Sequence, residues 1–245
     1  MVSKARKNPA AAGRLEVASL AKSVASLIAG KVEEDVVLGR RHPRERLVEQ
    51  ELGTRFRTHR ADVRLALFEL EKRGIVQRIP NRGAMIRDLS PREVTQIYSV
   101  REELEVMAVR IIPFPVDPDA ISRLKDLQLE HSRAVDAADL LTVFYSNLRF
   151  HRELFGLCGN ECLIETIEQL AQKVRVIRSY ATADVADLES ARRDHVAMIE
   201  ALKKSERRKL INLTRRHLAA APRAYIKSYQ QRFGAAQPRI DEGFE

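Results

Sequence analysis

The chain has 245 residues, 44% hydrophobic and 31% charged, with no Trp and ten Gly, a balance that suits a globular protein with a sizeable core and argues against a turn-rich all-β fold. It carries 43 Lys and Arg against 34 Asp and Glu, a formal charge of +9, which points to an anionic partner. No apolar run approaches the roughly 20 residues that span a bilayer, Lys4, Arg6 and Lys7 are not followed by the apolar core of a secretory signal, and Cys158 and Cys162 stand alone as C-x3-C, which excludes a zinc ribbon or disulfide framework and implies a reduced, cytoplasmic setting.

Residues 1–14 read as a short disordered basic arm. A helix is expected over 15–31, with Val17, Leu20, Val24, Leu27 and Ile28 on one side. Glu45 to Gly53 reads as the first helix of a helix-turn-helix, with Leu47, Val48, Leu52 and Phe56 as the buried side of helix and turn. On the second helix Val63, Ala66, Leu67 and Leu70 repeat at helical spacing, and Gly74 ends it. Arg60 and Arg64 lie four apart on its exposed face. Two guanidinium groups on a rigid helix suit the major groove, where Arg bonds guanine edges or phosphates; a solvated charged face on an ordinary helical pair is the competing reading. The segment that follows weakens that alternative: two short apolar strands flank Pro80-Asn81-Arg82-Gly83, a basic turn, so that the whole reads as a winged helix-turn-helix over 15–88. Charge agrees, since residues 1–90 hold 19 basic and 11 acidic residues while 91–245 hold 24 and 23. Phosphate binding needs such a cluster, not merely a basic total.

Beyond that the chain reads helical. Ser90-Pro91-Arg92-Glu93 is a capped helix start, with the helix running to about Ile112 before Pro113 and Pro115. Asp117-Pro118 opens the next, to about Val135; Asp136 or Asp139 opens another, which ends at Gly159-Asn160. Helices of roughly 161–180, 184–204 and 206–232 follow, the last with a kink expected at Pro222, and 233–245 is left as a flexible tail. The fold class is therefore mainly α: the winged domain, then an all-helical bundle over 90–232.

A polar residue on a core-facing stripe must be satisfied. His151 lies on the stripe of Leu141, Phe144, Leu148 and Phe155, with Asn147 one turn earlier; His195 lies with Leu188, Ala191, Ile199 and Leu202; His217 lies with Leu210, Leu213 and Ala221. Three imidazoles on three helices of one bundle can meet at a metal ion. They can equally be unrelated core histidines, and His131, on a stripe with Leu124, Leu127 and Val135, shows that periodicity does not choose among them. Arg101 stands in the middle of the face Val94, Ile97, Leu104, Ala108 and Ile111, either aimed at an anionic ligand or paired with Glu105 at the stripe's edge.

At these residues the chain resembles the GntR family of transcriptional regulators, in the FadR-type subgroup with an FCD effector domain. The motifs are Glu45 to Leu52, Val63-Arg64-Leu65-Ala66-Leu67 and Asn81-Arg82-Gly83-Ala84 in the reader, with Val100 to Glu105, Arg149 to Leu154, Asp194-His195 and Arg216-His217-Leu218 in the bundle. The resemblance implies that Arg46, Thr58, His59, Arg60, Arg64, Arg82 and Gly83 face double-stranded operator DNA. It implies that Asn147, His151, His195 and His217 hold a divalent metal, zinc or nickel, beside an effector cavity, and leaves out His131, His42 and His59. It also implies a homodimer that meets no membrane. The family usually has Asp at position 147, so Asn147 implies weaker binding. It usually opens the recognition helix with Ser-Arg-Thr-Pro, where this chain has His59-Arg60-Ala61-Asp62, with Thr58 expected to cap. The expectation is a non-enzymatic, ligand-responsive repressor released by a small organic acid held by the metal and Arg101. The rivals are a metal-dependent hydrolase or isomerase fused to a DNA-binding domain, and a DNA-binding regulator whose effector pocket has decayed.

Overall fold

Helix α1 (Val24–Val37) starts where Ser23 Oγ accepts from the Ser26 backbone N–H at 3.1 Å. The computed structural model describes residues 23–79, 83–178 and 184–234. The expected helix over 15–31 therefore lies outside the described residues in its first part and extends six residues further in its last. Its buried face is also different: Ala25, Ile28, Ala29, Val32 and Val36 pack inward, while Val24 and Leu27 are 49% and 54% exposed. A stretch with apolar side chains on two sides fits two phases, and packing against the recognition helix selects the one with small residues, which lets the helices approach.

The helix-turn-helix opens on a strand and not on a helix. Arg46–Leu47 form β1, which pairs antiparallel with β3 (Gly83–Ile86), itself paired with β2 (Val76–Ile79), so the wing is three-stranded in the order β1-β3-β2. Leu47 faces Ala84 across the ladder and is buried there, while Val48, expected inside, is exposed. Helix α2 (Glu49–Phe56) then turns through Arg57, in the left-handed region at φ 49°, into the recognition helix α3 (Arg60–Lys72). Val63, Ala66, Leu67 and Leu70 are buried as their spacing predicts. Thr58 does not cap α3: the cap position is His59, without a side-chain hydrogen bond, and Thr58 Oγ1 donates instead to Asp62 Oδ2 at 2.7 Å.

Two glycines are fixed by their surroundings. Gly83 has φ +85°, and a Cβ there would collide with the Leu47 carbonyl oxygen. Gly74, at φ +73°, follows α3, and a Cβ there would stand 3.3 Å from Cα of Lys173 in the helical half.

The helical half consists of α4 (Pro91–Ile111), α5 (Pro118–Asp136), α6 (Leu140–Gly156), α7 (Glu161–Lys173), a 3-10 turn (Arg175–Ile177), α8 (Val185–Lys203), α9 (Arg207–Leu218) and α10 (Ala220–Phe233). The expected capping box opens α4, with Ser90 Oγ accepting from Glu93 N and Ser90 N donating to Glu93 Oε2 at 2.9 Å. Asp139, not Asp136, caps α6. Helix α7 stops seven residues short of the expected 180. The segment expected as one helix kinked at Pro222 is two helices broken at Ala219, and Pro222 sits in the first turn of α10, where a missing N–H costs no hydrogen bond.

Two large buried clusters organise these elements. One joins α1, α3 and the wing to Val94 and Tyr98 of α4, to Val174, Val176 and Ile177, and to Leu218, Ala221 and Tyr225, so the reader's core continues into the helical half. The other lies within that half, among Val109, Leu124, Phe150, Leu154, Met198 and Leu202. Tyr225 fastens the join, its hydroxyl donating to Leu89 O at 2.6 Å.

Candidate functional site

On the reader, a concavity between α3 and the wing is lined by Arg46, Arg60, Arg64, Arg78, Glu49 and Gly83. Arg60 and Arg64 point outward, their side chains 70% and 58% exposed. Both Nε atoms donate to Glu49 Oε2, at 2.6 and 3.0 Å. Burial would raise the Glu49 carboxyl, but the two guanidinium groups outweigh it and hold its pKa below the ordinary value. His59 is exposed beside them, Asp62 is engaged by Thr58, and Arg82 lies outside the described residues. Arg78 on β2 and Glu49 on α2 were not singled out in the sequence; Arg78 shares its strand parity with the buried Val76, so alternation did not point it outward.

In the helical half, α6, α8 and α9 bring His151, His195 and His217 together, and one ligand atom of each lies within 4.8 Å of the others. His217 Nε2 stands 3.0 Å from His151 Nε2. The outer nitrogens of two rings are engaged: His195 Nδ1 meets Gln128 Oε1 at 2.9 Å, and His217 Nδ1 meets Asp194 Oδ2 at 3.6 Å. Those contacts place the Nδ1 proton outward and turn the Nε2 lone pairs to the centre. His195 Nε2 is buried there without a hydrogen-bond partner. Burial, and then the charge that His217 would bring, push the pKa values of His151 and His195 well below the ordinary imidazole value, so both are neutral, as ligands must be. Asp194 is lowered, its burial outweighed by hydrogen bonds from His217 and Arg216. An orphaned buried nitrogen, three converging imidazoles and outer-nitrogen partners together fit a divalent ion of the zinc or nickel kind. Asn147, buried one turn before His151, lines the same cavity. His131 is close, with its ring 5.1 Å from that of His195, but does not belong to the group.

The imidazoles adjoin a cavity of about 350 Å³ whose wall includes Phe144, Phe155, Ile164 and Ile167 on the apolar side and Arg101, Arg175 and Arg178 on the polar side. Arg101 stands in the cavity wall with its side chain 13% exposed and is paired with Glu105: Nε and Nη2 donate to Glu105 Oε1 at 3.1 and 2.7 Å. Its guanidinium also lies 4.8 Å over the Tyr98 ring. Sequence reasoning missed Gln128, Arg175 and Arg178. Gln128 carried a signal, as a polar residue between Leu124 and His131 on one helical face.

A model of the gntR family of bacterial regulatory proteins matches residues 25–86, and a model of the FCD domain matches residues 96–220. The chain is 30% identical over 138 residues to the Nta operon transcriptional regulator of Aminobacter aminovorans, which covers 56% of this chain and 64% of that protein, so over a third of that relative lies outside the match. It is 25% identical over 160 residues to the HTH-type transcriptional repressor RspR of Escherichia coli, 65% of this chain and 70% of the relative. The structure of McbR from the same species superposes with a TM-score of 0.73 at 20% identity over 84% of this chain and 99% of McbR, and a Rhodococcus regulator superposes at 0.71, which shows a shared fold. With the FCD match alone covering half of the sequence and the gntR match most of the helix-turn-helix and wing, the chain belongs to the gntR family of bacterial regulatory proteins, among those that carry an FCD domain.

Proposed function

We propose that the protein is a cytoplasmic, homodimeric transcriptional repressor whose winged half, 15–88, binds operator DNA and whose helical half, 90–232, releases it on binding a small organic acid. The observation that carries this reading is the convergence of three imidazoles at a cavity whose wall also holds Arg101, Arg175 and Arg178. His151, His195 and His217, with the Asn147 amide oxygen, hold a zinc or nickel ion. That ion supplies positive charge for a carboxylate oxygen of the acid. Arg101, held in place by Glu105 and Tyr98, presents the edge of its guanidinium to the cavity and, with Arg178, neutralises the rest of the acid group. On the DNA side Arg46, His59, Arg60, Arg64 and Arg78, with Gly83 at the wing and Arg82 beyond the described residues, meet bases and phosphates. One recognition helix offers few base contacts, so two copies on two half-sites complete the recognition.

The named relatives are transcriptional regulators, and among the described residues no helix is long and apolar enough to cross a membrane. The test is a metal assay and a DNA-retardation assay on the full chain, with a panel of di- and hydroxycarboxylates added to the bound complex. Metal near one per chain, and release of DNA by one of the acids that Arg101→Ala abolishes, are expected. A protein that binds duplex DNA no better than albumin at moderate salt would end the reading.

A further inference from the structure

Most arginines on the cavity wall are balanced by carboxylates of the helical half. Arg101 is matched by Glu105, Arg149 by Glu130 and Arg152 by Glu168. Arg175 is different: the carboxylate its Nη1 binds is Glu33, on α1 of the winged half. Glu33 is only 5% exposed, and its second oxygen accepts from Arg73 Nη1 at 2.9 Å. Arg73 is the C-cap residue of the recognition helix α3. One buried carboxylate thus joins the cavity wall to the end of the helix that faces DNA. A second wall residue repeats the connection, since the Tyr145 hydroxyl donates to the neighbouring Glu34 at 3.2 Å.

We propose that Arg175 is a further anion-recognising residue of the cavity, beside Arg101, and that Glu33 is the resident anion that an incoming acid displaces, so that effector binding breaks the Arg175–Glu33–Arg73 link. This rests on the reading of the cavity as an effector site. Arg175 gives Glu33 its Nη1 alone, and its buried Nε has no hydrogen-bond partner, so an acid that takes the Nε edge competes with Glu33 for the charge of one guanidinium. A carboxylate as buried as Glu33 does not tolerate the loss of a charged partner in place, so Glu33 must move toward water or onto Arg73 alone, and α1 moves with it. The acid then binds the released arrangement better than the linked one, which is the differential affinity any ligand needs to shift an equilibrium. Its chemical class follows from the wall: a carboxylate or phosphate head at Arg175, and an apolar body along Phe144, Phe155 and Ile167.

The test uses the full chain and inorganic phosphate as a probe of the head site, with calorimetry for binding and amide hydrogen exchange for α1 and the last turn of α3. Glu33→Gln keeps the shape and removes the resident charge; it should bind phosphate about tenfold more tightly than the wild type. Arg175→Gln should bind at least tenfold more weakly, and Arg175→Lys, which carries the comparison if the glutamine variant fails to fold, should lie between. Phosphate should speed exchange in α1 of the wild type, while Glu33→Gln should exchange fast already and not respond. Wild-type phosphate affinity in both Arg175 variants, no saturable binding to the wild type or Glu33→Gln, or α1 exchange unchanged at saturation would each overturn the proposal. If Arg101→Gln abolishes binding and the Arg175 variants do not, only this inference fails. If neither position matters, phosphate binds elsewhere and the effector reading fails with it.

Discussion

Arg60 and Arg64 are held by one carboxylate, so on the proposed DNA-binding reading Glu49 stands where a base edge or phosphate would be taken in a complex. Each Arg→Ala change is expected to cost about 1–3 kcal/mol of operator binding if that side chain reads a base, or to weaken binding evenly across sequences and lower the salt slope by about one if it holds phosphate. Titrations of cognate and scrambled duplexes at several salt concentrations separate the two cases, and a double variant with wild-type affinity and slope would move the reading face elsewhere. At the metal end, Asn147 offers an amide oxygen where a carboxylate would bring a charge. Asn147→Asp is expected to tighten metal binding by roughly tenfold or more, a gain of about 1.4 kcal/mol, measured by competition with a chromogenic chelator. An unchanged constant would take position 147 out of the ligand set. At this scale histidine spacing put four imidazoles, His131 among them, on inward stripes. Spacing did not show which meet, because the contacts that orient them, Gln128 to His195 and Asp194 to His217, join residues 67 and 23 positions apart; the family resemblance chose His151, His195 and His217.

Elements were legible where their ends carry chemistry. Ser90, Pro91 and Glu93 announce α4, and Asp117-Pro118 announces α5, because caps satisfy orphan N–H groups locally. The face of α1 was not legible, since its apolar residues fit two phases and only the helix packed against it decides. Pro222 shows the same limit from the other side. It reads as a kink in a long helix, yet it occupies the first turn of α10, where proline is at home. Pro222→Ala is therefore expected to change the unfolding free energy by less than about 1 kcal/mol, as read by urea denaturation. A stabilisation beyond that would mean that the proline strains a helix continuous through Ala219.

For the whole molecule, three buried imidazoles make stability depend on pH. Burial lowers His131 from 6.5 to about 4, and drives His151 and His195 well down. Unfolded, these rings take up protons near pH 6.5. Between pH 6.5 and 4 the unfolded chain then binds more protons than the folded one, so stability falls as the pH falls through that window, by up to about 1.4 kcal/mol per pH unit for each ring. Above 6.5 the rings contribute no slope. Chelated protein is expected to melt progressively lower from pH 7 to 5, and His131→Gln to flatten the decline; a melting temperature constant over that range would contradict the buried, neutral state of the rings.

Gly74 has a consequence for anyone who treats the reader and the sensor as interchangeable modules. With Cα of Lys173 3.3 Å from where its missing methyl would sit, the two halves meet as closely fitted surfaces with no slack at that point. A chimaera that grafts this reader onto a foreign sensor must reproduce that fit, or every transplanted side chain opposite position 74 acts as a wedge. Gly74 is thus where a hybrid regulator would first go deaf, still gripping DNA while no longer hearing its ligand.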